Sequence, residues 1–164
     1  MRQRLPECYP RLRRFCVVLT NSDDRAGDLA QATALKALEK HDLFARDENL
    51  CGWLFRIAQR TWLNEVRSQG VRSGTGTEPA DNIVANDWRA DPEASLYQSQ
   101  ILQAVTALPD GQRSAILLVY VEGFSYAEAA AICDVPIGTI MSRLVRARKA
   151  LSKTIDDGTK RVAQ

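Results

Sequence analysis

The sequence predicts an all-α protein built as two small helical domains joined by a flexible linker, and three observations carry that expectation. Hydrophobic residues make up 45% of the 164 positions, while Gly and Pro number only 9 and 6 and β-branched runs are few, a balance that favours helical packing. Apolar residues recur at helical spacing in an amino-terminal and a carboxy-terminal stretch. Between them the composition breaks: Gly70, Ser73, Gly74, Thr75, Gly76 and Pro79 mark a segment that cannot bury enough apolar surface to order itself. The expected boundaries are a first domain over 1–68, a linker over 69–90, a second domain over 91–155 and a tail over 156–164.

The first domain reads as helix from about Tyr9 to Arg67, in a bundle of three or four. Asn21-Ser22-Asp23-Asp24 supplies a turn and a cap, and the stretch from Asp28 to Lys40 is mostly Ala, Leu, Lys, Glu and Gln, which are good helix formers. Gly52 marks the entry to a further helix from Trp53 to about Ser68. At about 100° per residue, Leu54, Phe55, Ala58, Trp62 and Val66 fall on one side of it, a core stripe. Trp53, Arg56, Arg60, Asn64 and Arg67 fall on the other. An indole with three guanidinium groups suits a strand of unpaired DNA, whose phosphates need cations and whose bases need stacking surfaces. The alternative is that Trp53 packs at the domain edge beside solvated arginines.

Within the linker, Ile83, Val84 and Trp88 are stray apolar residues expected to dock on a domain of this chain or on a partner. Asp91-Pro92-Glu93 restarts helix, with Asp as cap and Pro in the first turn. Tyr97, Ile101, Val105 and Leu108 line one side of it. Pro109-Asp110 ends that helix and caps the next, Gln112 to Val121, which Gly123 stops.

The last two helices form a helix-turn-helix. Ser125 and Glu128 have the spacing of a reciprocal capping box. Asp134 tolerates the left-handed conformation, and Val135 before Pro136 is biased away from helix, so the chain turns there. On the second helix Ile137, Ile140, Leu144, Ala147 and Leu151 share the apolar side. Thr139, Ser142, Arg146, Lys149 and Lys153 share the other, with Arg143 at its border. That polar face holds no acid, and its hydroxyls and guanidinium groups suit phosphate oxygens and the guanine edge of a major groove.

The net charge of +2 does not by itself announce a nucleic-acid partner, but its distribution is uneven. Arg2, Arg4, Arg11, Arg13 and Arg14 crowd the start, acids gather at Asp23, Asp24 and Asp28, and bases return on the helices above. Cys8, Cys16, Cys51 and Cys133 lack Cys-x-x-Cys spacing and, with His41 the only histidine, make a zinc site unexpected. They read as buried free thiols of a reducing compartment, and a redox pairing of Cys8 with Cys16 has no support. No nucleophile–base set, phosphate-binding glycine loop or metal cluster is legible, so neither an enzyme nor a cofactor is expected. No stretch is long and apolar enough for membrane insertion, and the first residues carry charge without an apolar signal core, so a cytoplasmic protein is expected.

Dense motifs then identify a family. Ala107-Leu108-Pro109, Gln112-Arg113, Tyr120 through Tyr126, Ala129-Ala130, Pro136 through Ile140, Ser142-Arg143-Leu144 and Arg146-Ala147-Arg148 resemble the sigma-4 domain of extracytoplasmic function sigma factors. Asp28-Leu29, Gln31, Thr33, Leu35, Ala37-Leu38, Trp53 through Ala58 and Glu65-Val66-Arg67 resemble their sigma-2 domain. The resemblance implies a dissociable subunit of bacterial RNA polymerase that directs promoter-specific initiation. It places Asp28, Gln31 and Leu35 against the clamp helices of core RNA polymerase. Trp53, Arg56, Arg60, Asn64 and Arg67 would face the melted minus-10 strand, and Thr139, Ser142, Arg143, Arg146 and Lys149 the minus-35 duplex, with the domain seated on the polymerase flap. It further implies an anti-sigma factor that holds the chain inactive until a stress or envelope signal. Ala32, Ala34, Asn64 and Met141 depart from residue types common in the family. Two competing readings are a helix-turn-helix regulator without core binding, which leaves the Trp53–Arg67 face unexplained, and a sigma-like decoy for an anti-sigma factor, which should have lost its DNA-facing charge.

Overall fold

A computed structural model describes residues 4–45, 49–73 and 104–162, with side chains over 4–45, 49–69 and 104–153. The chain divides into two compact units, and every regular element among the described residues is helical.

The amino-terminal unit contains α1 (Leu5–Thr20), α2 (Asp23–Glu39), one 3-10 turn (His41–Leu43) and α3 (Leu50–Ser73). Each of the three α-helices packs on the other two. On α2 the inward positions are Ala26, Leu29, Ala30, Thr33 and Ala37, and their small side chains let the neighbouring helices close in. Leu12, Phe15, Cys16 and Leu19 of α1 and Leu54, Phe55, Ala58 and Trp62 of α3 are buried in the core, with the Phe15 and Phe55 rings stacked at 4.6 Å. Burial of each such Leu or Phe contributes about 1.5–3 kcal/mol, which outweighs the ladder hydrogen bond that Pro10 removes inside α1.

Local chemistry sets the ends. Asn21 takes φ 53°, and its N–H closes α1 on the Val17 carbonyl at 2.9 Å. Ser22 caps α2, accepting from the Arg25 N–H, so the helix begins at Asp23, within the expected turn-and-cap run. Arg13 donates to Asp23 at 2.8 Å, tying the two helices at that corner. Helix α3 begins three residues before Trp53. Asn49 is its cap, for its Oδ1 accepts from the Gly52 N–H at 3.2 Å, and Gly52 lies buried inside the helix rather than at its door. At the other end α3 runs through Ser73, so the first five residues expected in the linker are helical. The remainder of that expected linker, with Ile83, Val84 and Trp88, and the helix restart at Asp91 with Tyr97 and Ile101 lie outside the described residues.

The cysteines differ from the expectation. Cys8 and Cys51 are joined in a disulfide that links α1 to the first turn of α3, because those two positions face each other at a Cα separation of 5.6 Å. Cys16 and Cys133 are the buried free thiols.

The carboxy-terminal unit contains α4 (Asp110–Ile116), a π-helical turn (Leu117–Val121), α5 (Tyr126–Cys133) and α6 (Ile137–Val162), with α4 packed on α6. The Asp110 carboxylate does not cap α4 as expected; it accepts from buried Arg113 at 2.6 Å. The same guanidinium donates to the Thr106 and Leu108 carbonyls at 2.9 and 3.1 Å, satisfying backbone groups that the sharp entry into α4 leaves without helical partners. Burial pulls the Arg113 pKa down and the Asp110 charge opposes that shift. Helix α6 continues to Val162, so residues expected in the tail are helical.

Candidate nucleic-acid interface

The helix-turn-helix forms as its sequence dictates. The Ser125 N–H donates to Glu128 Oε2 at 2.8 Å and the Glu128 N–H donates to Ser125 Oγ at 3.2 Å, a closed capping box at the start of α5. The Ser125 N–H, and after it the Ser125 hydroxyl, which also donates to Oε2 at 2.8 Å, hold the Glu128 carboxyl below the usual glutamate range. Asp134 adopts φ 55°, and the Val135 N–H reaches back to the Ala130 carbonyl at 3.1 Å, the six-to-one bond of a left-handed helix stop. Pro136 then leads α6, and its carbonyl accepts from the N–H groups of Thr139 and Ile140 at 2.9 and 3.4 Å.

On α6, Ile140, Leu144 and Ala147 are fully buried and Leu151 is half-buried, but Ile137 is 49% exposed because it sits in the first turn, before the helix meets the body of the unit. Ser142, Arg146 and Lys149 stand in solvent, and Thr139 and Arg143 are half-buried. Ser142 donates to the Thr139 carbonyl at 3.1 Å, which fixes its hydroxyl along the helix. Arg143 lies against the first turn of α4: a Cβ built on Gly111 would stand 2.9 Å from both its Cζ and its Nε. A second strip, Ile137, Met141 and Val145, is also exposed and runs beside the polar face at four-residue spacing. Sequence periodicity hid this strip, because these residues border the core stripe on the helical projection.

On α3, Arg60, Asn64 and Arg67 are exposed along one line and Arg56 is half-buried at its head. Trp53 departs from that face. It is 8% exposed and its ring tilts against that of Phe44 at 5.2 Å. Trp53 is the fourth helical residue after the Asn49 cap, at the start of α3. This burial follows the alternative reading, in which Trp53 packs at the domain edge, and the contact that makes it comes from Phe44, outside α3. Trp62, by contrast, is buried as expected, with the Arg25 guanidinium 4.5 Å over its ring.

The third predicted set lies together on α2. Asp28, Gln31 and Leu35 share an exposed face at three- and four-residue spacing, and Leu35 is 62% exposed among polar neighbours. Among the described residues no group of three or more His, Cys, Asp or Glu could hold a metal ion, and no helix is long and apolar enough to cross a membrane.

Comparison with known proteins matches residues 6–72 to the family model "Sigma-70 region 2" and residues 98–151 to "Sigma-70, region 4". The chain is 38% identical to the ECF RNA polymerase sigma factor EcfG of Rhodopseudomonas palustris over 154 residues, covering 93% of this chain and 83% of that protein. It is 34% identical to the ECF RNA polymerase sigma-E factor of Escherichia coli over 140 residues, covering 78% and 72% of the two chains. Among solved structures it superposes on the sigma factor RpoE of Bartonella quintana, determined in complex with the anti-sigma factor NepR, with a TM-score of 0.77, 35% identity and coverage of 94% and 96%.

Proposed function

Because this chain belongs to the extracytoplasmic function sigma factors of the sigma-70 family, we propose that it is an alternative sigma subunit that binds core RNA polymerase and directs promoter-specific initiation. The observation that carries the proposal is the pairing of two cationic helix faces on separate units: Arg60, Asn64 and Arg67 on α3, and Ser142, Arg146 and Lys149 on α6. A duplex-binding regulator needs only the second. The α6 face has the hydroxyls and guanidinium groups that read a major groove, with Thr139 and Arg143 at its margin, and it serves the minus-35 duplex. The α3 line, headed by Arg56, follows the phosphates of the melted minus-10 strand. Trp53 supports that line from beneath, by fixing the first turn of α3.

Asp28, Gln31 and Leu35 meet the polymerase clamp, where burial of the exposed Leu35 supplies apolar contact within a polar rim. Regulation follows the RpoE–NepR pair: an anti-sigma factor of that kind holds the chain off polymerase until a signal removes it. The role is regulatory rather than enzymatic, and its place is the cytoplasm, with the chromosome.

Reconstitution with core RNA polymerase, followed by sequencing of transcript starts, tests the reading. A defined set of promoters with shared minus-35 and minus-10 elements is the expected result. Purified chain that fails to associate with core enzyme, with every inhibitor removed, overturns it.

A further inference from the structure

We propose that Cys8 and Cys51 are a reversible thiol–disulfide pair, a hydroperoxide-responsive modification site that staples α1 to the start of α3. The two positions already meet at a Cα separation within bridging range, so both redox states fit one backbone. The surroundings of Cys51 activate its sulfur. It is the second residue of α3, within the field of that helix's N-terminus, and Arg11 Nη1 stands 3.3 Å from its Sγ. Arg11 lies one turn beyond Cys8 on α1, so one helix delivers both the resolving thiol and the cation. Burial alone does not set the pair apart, for Cys8 and Cys51 are 8% and 4% exposed against 0% for Cys16, whose pKa burial pushes up to about 12; the Arg11 guanidinium beside Cys51 does.

The chemistry balances with hydrogen peroxide, the simplest hydroperoxide, as oxidant. The Cys51 thiolate attacks one peroxide oxygen, the O–O bond breaks, and a sulfenic acid and one water result once the displaced oxygen has taken a proton. Cys8 Sγ then attacks the Cys51 sulfur, the S–S bond forms, the S–O bond breaks, and the leaving hydroxide takes the Cys8 proton as a second water. Two thiols are oxidised and one hydroperoxide is reduced to two waters. A cellular dithiol reverses the bond by exchange, a point that rests on the proposed polymerase role and its reducing compartment. The cross-link spans 43 residues, including all of α2, so closing it restricts the unfolded chain and raises the melting temperature of the amino-terminal unit, by about 10–30 °C.

The test uses the full chain, reduced, freed of reductant and treated with hydrogen peroxide, then mapped as peptides without reduction. A Cys8–Cys51 linked peptide, a higher melting temperature and complete reversal by dithiothreitol are expected. Recovery of these cysteines unmodified or as sulfinic acid, or a cross-link through Cys16, overturns the proposal. Cys8→Ser should abolish the cross-link and the melting shift, leaving a sulfenic acid at Cys51 that dimedone traps; a shift that persists refutes the staple. Cys51→Ala gives the same thermal readout should Cys8→Ser fold poorly. Arg11→Gln should slow cross-linking at least threefold, and an unchanged rate removes the activated thiolate from the mechanism. The mapping needs no polymerase, so a failure to bind core enzyme leaves this result standing on its own.

Discussion

The guanidinium of Arg143 passes so close to Gly111 that a Cβ there would stand 2.9 Å from its Cζ and Nε. Gly111 is the second residue of α4 and Arg143 belongs to α6, so a bare backbone position on one helix sets the path of a proposed DNA-contacting side chain on another. Gly111→Ala should therefore separate stability from recognition. Alanine suits the helix and stabilises by about 0.4–1 kcal/mol where it fits, and the obstructing atoms belong to a flexible side chain that can swing away. The melting temperature should hold or rise, while affinity for a minus-35 duplex falls about threefold to tenfold as Arg143 leaves its seat, a loss of about 0.6–1.4 kcal/mol. Thermal melts paired with duplex titrations check both halves.

Arg146 is exposed, so its removal should leave the fold intact. If it reads a base edge, Arg146→Ala should cost about 1–3 kcal/mol at the cognate element and relax preference at one base pair. A uniform loss across all sequences, with a shallower dependence on salt, would assign it to phosphate instead. Competition titrations against a set of single-base minus-35 variants, repeated at two salt concentrations, distinguish these outcomes.

What the sequence revealed of this molecule depended on how locally each feature is encoded. The capping box of Ser125 and Glu128, the left-handed turn at Asp134 and the buried trio Ile140, Leu144 and Ala147 each follow from residues within one or two turns, and each formed as read. The cap of α2 fell within the expected run at Ser22, whereas α3 starts three residues before the expected Trp53, because Asn49 rather than Gly52 sets its entry. Contacts between distant segments were not legible. The Cys8–Cys51 bond joins residues 43 apart, and the burial of Trp53 depends on Phe44, which no projection of α3 includes. The exposed line of Arg60, Asn64 and Arg67 was legible because a surface arginine face needs no partner in the fold.

The position of Trp53 changes what its mutation should do. Truncating a buried indole leaves a cavity, and Trp→Ala changes in cores cost about 3–5 kcal/mol. Trp53→Ala should therefore lower the stability of the amino-terminal unit, and Trp53→Phe should recover most of it. Arg60→Ala and Arg67→Ala should leave stability within about 0.5 kcal/mol of the parent and impair strand opening. Permanganate reactivity of the minus-10 thymines, measured beside urea unfolding curves, separates the structural residue from the two proposed strand contacts.

The Ser125–Glu128 box makes the carboxy-terminal unit sensitive to acid in a calculable direction. Hydrogen bonds from Ser125 hold Glu128 below its ordinary value of 4.5 in the folded state, whereas the unfolded chain has no such box. A carboxylate depressed on folding contributes stability that is complete above the unfolded value and is lost as pH falls through the folded one. Wild type should therefore lose stability through this group as pH drops from about 5 toward 3, in proportion to the depression. Ser125→Ala removes the cap hydroxyl, at a cost of about 1 kcal/mol near neutrality, but keeps the backbone N–H that contributes most to the depression. Its acid-side slope should be shallower than that of wild type without vanishing. Glu128→Gln should abolish the slope due to this group. Denaturant midpoints for the three proteins across that range measure the difference, and parallel curves for wild type and Glu128→Gln would show that the box does not couple folding to protonation.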